Sequence, residues 1–173
     1  MAHALPIPRR LVCRLALVLL TFPALAQGPA SLLHKAAPQF VRTNLNNQAV
    51  DLSAYRGQVV LLNFWATWCA PCQIEIPQFV KWQTRYGAQG LQILGVSMDD
   101  DSAPVLALTQ KRAVNYPVVM GDVQLGRLYG GVLGLPITFL IDRQGNIAAV
   151  YKGQTNLPAM ERKIRRLLSV GGQ

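Results

Sequence analysis

The sequence has few cysteines, few charged side chains and no internal repeat. Only 14% of its 173 residues are charged and 51% are apolar, which supports a filled core and argues against intrinsic disorder. Lys and Arg outnumber Asp and Glu by 17 to 8. No basic stripe interleaved with aromatic residues is visible, however, and this argues against nucleic-acid binding. A modest basic cluster at residues 162–166 fits a solvated helix face. The length suits one domain.

The sequence also lacks an apolar run of the about 20 residues that a membrane-spanning helix needs. The longest run, residues 15–26 (LALVLLTFPALA), has twelve residues and follows a basic stretch. It ends in the small-x-small pattern that signal peptidase accepts. We therefore predict a cleaved signal peptide over residues 1–26 and a periplasmic protein. The alternative is an uncleaved membrane anchor that starts near Leu11.

The rest of the chain alternates apolar strands with helical segments. We expect a short linker over residues 27–37 and one domain over residues 38–173. Continuous β-rich apolar runs predict buried strands, and Asp99 to Ser102 provide several N-cap candidates for a helix. The predicted elements are a hairpin over 39–52 with a turn at Asn46–Asn47, strands at 58–65, 91–98, 117–120, 137–141 and 147–151, and helices ending near Tyr86 and spanning 103–112, 124–129 and 157–170. This order predicts a mixed sheet covered by helices on both faces.

Three cysteines are present, and their positions are informative. Cys13 falls inside the predicted signal peptide, so cleavage leaves only Cys69 and Cys72. A bridge between residues three positions apart closes too small a loop to restrict the unfolded chain much. Stabilisation is therefore a poor explanation for the pair, and we interpret it as reactive.

The cysteine pair lies where a buried strand ends and a helix begins. Free N–H groups and the positive end of the helix dipole stabilise an anion at such a point, so the Cys69 thiol should have a pKa below the free value of about 8.5. Pro71 fits the first helical turn because no N–H donor is needed there. The spacing predicts Cys69 as the attacking thiol, exposed at the helix tip, and Cys72 as the more buried resolving thiol.

Metal binding is the other use of a Cys-x-x-Cys pair. Zinc requires four ligands, but the chain beyond the signal peptide has no second cysteine pair and a single histidine, His34, far from the motif. We therefore expect no zinc site, no other metal in the active site and no cofactor. Cu(I) accepts fewer sulfur ligands, so copper binding by the dithiol remains an alternative.

Two segments carry a family resemblance. Residues 61–72 (LLNFWATWCAPC) and 134–142 (GLPITFLID) resemble the thioredoxin superfamily, specifically its exported TlpA/ResA-like branch, which is related to DsbE/CcmG. The similarity runs from about Pro38 to the C-terminus. It implies a thioredoxin fold, an α/β arrangement with a central mixed β-sheet flanked by helices, here with an N-terminal β-hairpin extension. It also implies a thiol–disulfide oxidoreductase, a protein-disulfide reductase.

The resemblance implies further site residues. In this family the proline that opens the second segment is cis and lies against the disulfide. This implies a cis bond before Pro136, with the backbone of Leu135 facing the cysteines and available to pair with extended substrate. Glu75 matches an acid found beside the site in ResA-like proteins, and we expect it to tune or relay protons for Cys72. Asn63 stands where typical thioredoxins have a buried acid.

The residues around the cysteines are expected to contact substrate. Trp68, Ala70 and Pro71 form this set, and Trp68 should also shield the site. Phe64 and Trp65 are more consistent with the core.

The resemblance implies a reductase that receives electrons from a membrane thiol–disulfide donor. Its substrates would be exported disulfides, such as apocytochrome c cysteines or copper-site cysteines. Cytochrome-maturation proteins of the DsbE type often have Glu after the cis-proline, where Ile137 stands here, and this weakens that narrower assignment. No nucleic-acid partner is expected.

Three alternatives come from other classes. A DsbA-like, disulfide-forming oxidant would carry a helical insertion for which residues 99–120 leave no room. A peroxiredoxin would have its reactive cysteine in a different motif. A Cu(I)-binding assembly chaperone would bind metal without redox turnover.

Overall fold

A computed structural model describes Met1 and residues 28–170. The predicted signal peptide, beyond Met1, lies outside these residues. Within residues 28–170, no helix combines the length and the apolar character that crossing a bilayer requires.

The described chain forms seven strands and four α-helices. The strands are β1 (Val41–Thr43), β2 (Ala49–Asp51), β3 (Val59–Trp65), β4 (Leu91–Ser97), β5 (Val118–Met120), β6 (Ile137–Ile141) and β7 (Ile147–Lys152). The helices are α1 (Ala70–Tyr86), α2 (Ser102–Lys111), α3 (Val123–Leu128) and α4 (Leu157–Ser169). Short 3-10 turns lie at Pro29–Leu32, Leu52–Tyr55 and Gly87–Gln89. All of the predicted elements are present, with ends that differ from the prediction by at most two residues.

The central sheet has five strands in the order β5-β4-β3-β6-β7. Strands β3, β4 and β5 run parallel, whereas β6 and β7 are antiparallel to their neighbours. The predicted mixed sheet is therefore confirmed. β1 and β2 form the separate antiparallel hairpin, with Asn47 in its turn at a φ of 60°.

The core lies on both faces of β3, which is buried at all seven positions. Alternate residues of a strand point to opposite faces, so β3 contributes to two apolar layers. One layer joins Val60, Leu62 and Phe64 to the hairpin and to Leu125 of α3. The other layer joins Val59 and Leu61 to aromatic residues of α1 and to apolar residues of α4, namely Phe79, Trp82, Tyr86, Met160, Ile164 and Leu168. This packing fixes the end of β3 at the start of α1, where the cysteines lie.

Residues 28–37, expected to form a linker, contact the domain along the edge strand β7. The His34 N–H donates to the Ile147 carbonyl at 2.8 Å, and the Ile147 N–H donates to the Lys35 carbonyl at 2.8 Å. Pro29 is buried beside Gly130, where a Cβ would lie 2.5 Å from the Pro29 nitrogen. Gly130 also has a φ of +83°, so only glycine fits there without strain.

Candidate redox site

Cys69 and Cys72 form a disulfide at the first turn of α1. Their sulfur atoms are 2.00 Å apart and their Cα atoms are 5.3 Å apart. Both residues pack in an apolar cluster with Trp65, Ala66 and Ile76. The pair predicted as reactive is therefore brought to the junction of β3 and α1.

Cys69 is the N-cap residue of α1. Its Sγ accepts the backbone N–H of Cys72 at 3.3 Å, and Pro71 occupies the first turn as expected. A thiolate on Cys69 would meet this N–H and the positive end of the helix dipole. In the reduced protein, this position would favour the charged form of Cys69, which stays a prediction.

The prediction that Cys69 is exposed is wrong for this disulfide form. The exposed fraction is 5% for Cys69 and 0% for Cys72. Cys69 belongs to the buried apolar cluster, and Leu135 packs against the same cluster. Cys69 is nevertheless the more accessible of the two.

The rim of the site is partly apolar and open to solvent. Trp68 is 70% exposed, Ala70 is exposed and Pro71 is half-buried. Phe64 and Trp65 are buried in the core, as interpreted from the sequence. The rim therefore offers apolar surface beside the disulfide.

The second motif approaches the cysteines from β6. The Leu135–Pro136 bond is cis, as the resemblance implies. Pro136 is buried, and Ile137 pairs with Phe64 at the end of β3. Since Leu135 packs against the cluster that contains both cysteines, the two motifs meet at one place.

Glu75 is a buried acid one helical turn beyond Cys72. Its exposed fraction is 1%. Its Oε1 accepts the Thr155 backbone N–H at 3.1 Å, whereas Oε2 has no partner among residues 28–170. Burial raises the pKa of Glu75 above its usual value, and the hydrogen bonds from Thr155 offset part of this effect. Glu75 therefore holds a proton more readily than an exposed glutamate does.

Asn63 occupies a buried position on β3. Its Nδ2 donates to Thr138 Oγ1 at 2.9 Å, and the two residues are direct partners across β3 and β6. Two neutral side chains therefore satisfy each other where typical thioredoxins have an acid.

Several site residues were missed in the sequence. Thr155 and Thr138 carry no motif of their own, and only the pairing of distant segments reveals them. The sequence presents Asp99 only as a candidate helix cap, but Asp101 caps α2 instead and accepts the Ala103 N–H at 3.0 Å. Asp99 binds the turn before Cys69, through Thr67.

No group of three His, Cys, Asp or Glu side chains is arranged to hold a metal ion within the part of the chain that the structure describes.

Comparison with known proteins places this geometry in a family. A profile of the AhpC/TSA family matches residues 33–150. The thiol-disulfide oxidoreductase ResA of Geobacillus kaustophilus (strain HTA426) is 32% identical over 169 residues, covering 92% of this chain and 97% of its own.

Two solved structures from Chlorobium tepidum are similar over 78% of this chain and 96% of theirs, each with a TM-score of 0.72. One is a thiol:disulfide interchange protein provisionally named DsbE, at 33% identity. The other is a thiol:disulfide interchange protein of the thioredoxin family, at 28% identity. These likenesses confirm the thioredoxin fold. The chain therefore belongs to the AhpC/TSA family of the thioredoxin superfamily, and it is a thiol–disulfide oxidoreductase of the ResA/DsbE type.

Proposed function

We propose that the protein reduces disulfides of exported proteins outside the cytoplasm, with Cys69 as the attacking thiol and Cys72 as the resolving thiol. The main support is the position of Cys69 Sγ at the N-cap of α1, where it accepts the Cys72 N–H at 3.3 Å. The greater burial of Cys72 fits a thiol that reacts only within the protein.

The reaction proceeds in two exchanges. The Cys69 thiolate attacks one sulfur of the substrate disulfide, which forms a mixed disulfide and releases the first substrate thiolate. Cys72 loses its proton and attacks Cys69 Sγ, which forms the Cys69–Cys72 disulfide and releases the second substrate thiolate. Two electrons pass to the substrate, and its two thiolates take up protons.

Glu75 is the group that we propose handles the Cys72 proton. Residues three apart on a helix lie on neighbouring positions of one face, so Glu75 lies close to Cys72 along α1. Burial raises the pKa of its carboxyl group towards the range in which proton exchange near neutral pH is efficient. Its Oε2, which has no hydrogen-bond partner within residues 28–170, is available to accept the proton.

Substrate would bind at the rim of the disulfide. Trp68, Ala70 and Pro71 provide apolar contact, and the backbone of Leu135 would pair with an extended segment beside the reacting sulfur. Pro136 would hold that backbone in place at the start of β6.

The substrate class that we propose is exported proteins whose paired cysteines must be reduced before they receive a haem or copper ion. Apocytochrome c and copper-site proteins are the candidates, and a membrane thiol–disulfide protein would return electrons to Cys69–Cys72. The signal peptide predicted from the sequence supports a location in the periplasm. Both similar structures from Chlorobium tepidum are named thiol:disulfide interchange proteins, and this name supports disulfide exchange with other proteins.

Trapping tests the proposed roles and the substrate together. With Cys13 replaced by Ser, Cys72→Ser should accumulate a mixed disulfide with an oxidised peptide that carries Cys-x-x-Cys-His, the haem-attachment motif of c-type cytochromes, because the resolving thiol is missing. Cys69→Ser is the matched control and should trap nothing. Trapping by Cys69→Ser alone would reverse the roles. Stoichiometric Cu(I) binding by a protein that reduces neither this peptide nor insulin would replace the reductase proposal with a copper chaperone.

A further inference from the structure

Asp99 lies at the end of β4, next to the turn that connects β3 to the cysteines. We propose that Asp99 is a positioning residue of the redox site: its carboxylate holds residues 66–68 so that Cys69 Sγ lies at the N-terminus of α1. The inference rests on the proposed role of Cys69 as the attacking thiol.

Both carboxylate oxygens of Asp99 accept hydrogen bonds from neighbouring residues. Oδ2 accepts the Thr67 backbone N–H at 2.9 Å and the Ser97 hydroxyl at 2.7 Å, and Oδ1 accepts the Thr67 hydroxyl at 2.5 Å. Asp99 is 8% exposed and Ser97 is buried. Hydrogen bonds to an ionised acceptor are stronger than neutral ones, and water competes weakly at a buried site. Thr67 is therefore held firmly through both its backbone and its side chain.

The turn is also held from the side of α1. The Gln73 side-chain Nε2 donates to the Thr67 carbonyl at 2.6 Å, and the Cys69 N–H donates to the Ala66 carbonyl at 3.2 Å. Thr67 is thus fixed between β4 and α1, two residues before Cys69. Release of Thr67 would therefore loosen the turn that leads to Cys69 and places its Sγ at the Cys72 N–H.

The two acidic residues that follow Asp99 do not bind the turn before the cysteines. Asp101 caps α2, and Asp100 is exposed and makes no side-chain hydrogen bond in the part of the chain described. The Asp99 side chain accepts hydrogen bonds only from Thr67 and Ser97 among the described residues, and these bonds do not serve α2. They connect the end of β4 to the turn before the cysteines.

Position and charge predict opposite effects, which makes the proposal testable. If Asp99 acts by position, its loss lets Cys69 leave the N-cap, and the pKa of the Cys69 thiol rises. If Asp99 acts only as a nearby negative charge, its loss favours the thiolate, and that pKa falls.

The experiment measures the alkylation rate of Cys69 against pH in the reduced full chain, with Cys13 replaced by Ser. Asp99→Ala should raise the pKa of Cys69 by about half a unit, which leaves about threefold less thiolate at pH values below the pKa. Asp99→Asn keeps an acceptor oxygen for Thr67 and should shift the pKa of Cys69 less. Asp100→Ala is the matched control: it removes the same charge without removing a hydrogen bond to Thr67, and it should not raise the pKa of Cys69. The reduction potential should move in the negative direction in Asp99→Ala, because the reduced form loses stabilisation.

A second pair of variants keeps the test decisive if Asp99→Ala fails to fold. Thr67→Val removes the hydroxyl that binds Asp99, whereas Thr67→Ser retains it, and neither changes the net charge. The proposal expects a raised pKa of Cys69 in Thr67→Val and a normal value in Thr67→Ser. An unchanged or lowered pKa of Cys69 in Thr67→Val, and in Asp99→Ala where that variant folds, would overturn the proposal. A wild-type Cys69 with a pKa at the free-thiol value would instead contradict the proposed function.

Discussion

Glu75 carries a buried carboxyl group whose Oε2 has no hydrogen-bond partner among residues 28–170. Burial raises its pKa in the folded state, so folding favours the protonated form. The resulting stability is fully present below the unfolded pKa of about 4.3 and is lost as the pH rises through the folded pKa.

Glu75→Gln should therefore change how stability depends on pH. Gln resembles the protonated acid and cannot ionise, so the free energy of unfolding of Glu75→Gln should gain on wild type as the pH rises above about 4.3. Urea unfolding of the disulfide form at several pH values from 4 to 8 measures this difference. Asp100→Asn, at an exposed position, is the control. A constant difference across the range would contradict the raised pKa.

The same variant should slow only the second exchange. An aromatic disulfide with coloured thiolates releases one thiolate when Cys69 attacks and the other when Cys72 resolves. If Glu75 takes the Cys72 proton, Glu75→Gln should slow the second release about tenfold or more and leave the first nearly unchanged. Stopped-flow absorbance separates the two phases. Equal slowing of both would assign Glu75 a general structural role.

Trp68 should affect substrate binding and not stability. It is 70% exposed, and surface substitutions of this kind change the free energy of unfolding by about 0.5 kcal/mol or less. Trp68→Ala should raise KM for a protein disulfide and leave the thermal midpoint nearly unchanged. A small aromatic disulfide, which needs little rim contact, serves as the control substrate. Equal loss on both substrates would show that Trp68 acts on the cysteines themselves.

At this scale the sequence identified the residues that belong to motifs. Cys69, Cys72 and Pro136 stand in continuous patterns, and the resemblance placed Glu75 beside them. Thr155 and Asp99 could not be found in this way, because their partners, Glu75 and Thr67, lie 80 and 32 positions away along the chain. Such contacts depend on how distant segments meet. The prediction that Cys69 is exposed is wrong because Cys69 belongs to a cluster that also contains Val105 and Val118, and the local sequence does not show such distant packing.

At the scale of elements, α4 stabilises the sheet without touching the cysteines. Ile164 is fully buried with Phe79 and Trp82 of α1, in a cluster separate from the one that contains Cys69 and Cys72. Ile164→Ala should lower the free energy of unfolding by about 2–5 kcal/mol, because it leaves a cavity. Its reduction potential should stay at the wild-type value.

Arg165→Ala is the matched control on the exposed side of α4, and it should cost about 0.5 kcal/mol or less. Denaturant unfolding and redox titration of both variants check the prediction. A shifted potential in Ile164→Ala would show that α4 is coupled to the site.

Elements were the most predictable part of the fold. β3 and β6 are buried at every position, and continuous apolar runs report such strands directly. The caps were less certain, because four residues from Asp99 to Ser102 suit the same role and only the structure selects Asp101. Residues 28–37 have no apolar periodicity. Their hydrogen bonds to β7 are formed by backbone groups, which every residue type carries, so the sequence does not predict them.

At the scale of the molecule, the sheet gathers distant segments at one end. β3 and β4 are parallel, so their C-terminal ends bring Thr67 and Asp99 together. β6 is antiparallel to β3, so its first residues, after Pro136, reach the same end. The mixed sheet therefore assembles a redox site from residues that the sequence keeps far apart.

The most direct test of the central claim is the reduction potential of the Cys69–Cys72 disulfide, titrated in dithiothreitol and glutathione buffers with Cys13 replaced by Ser. A reductase of exported disulfides should have a potential below about −230 mV, towards the thioredoxin end of the scale. A value near about −120 mV would mark a strong oxidant and contradict the assignment as a reductase. A Cys69–Cys72 pair that forms no disulfide in any of these buffers would contradict the thiol–disulfide reaction itself.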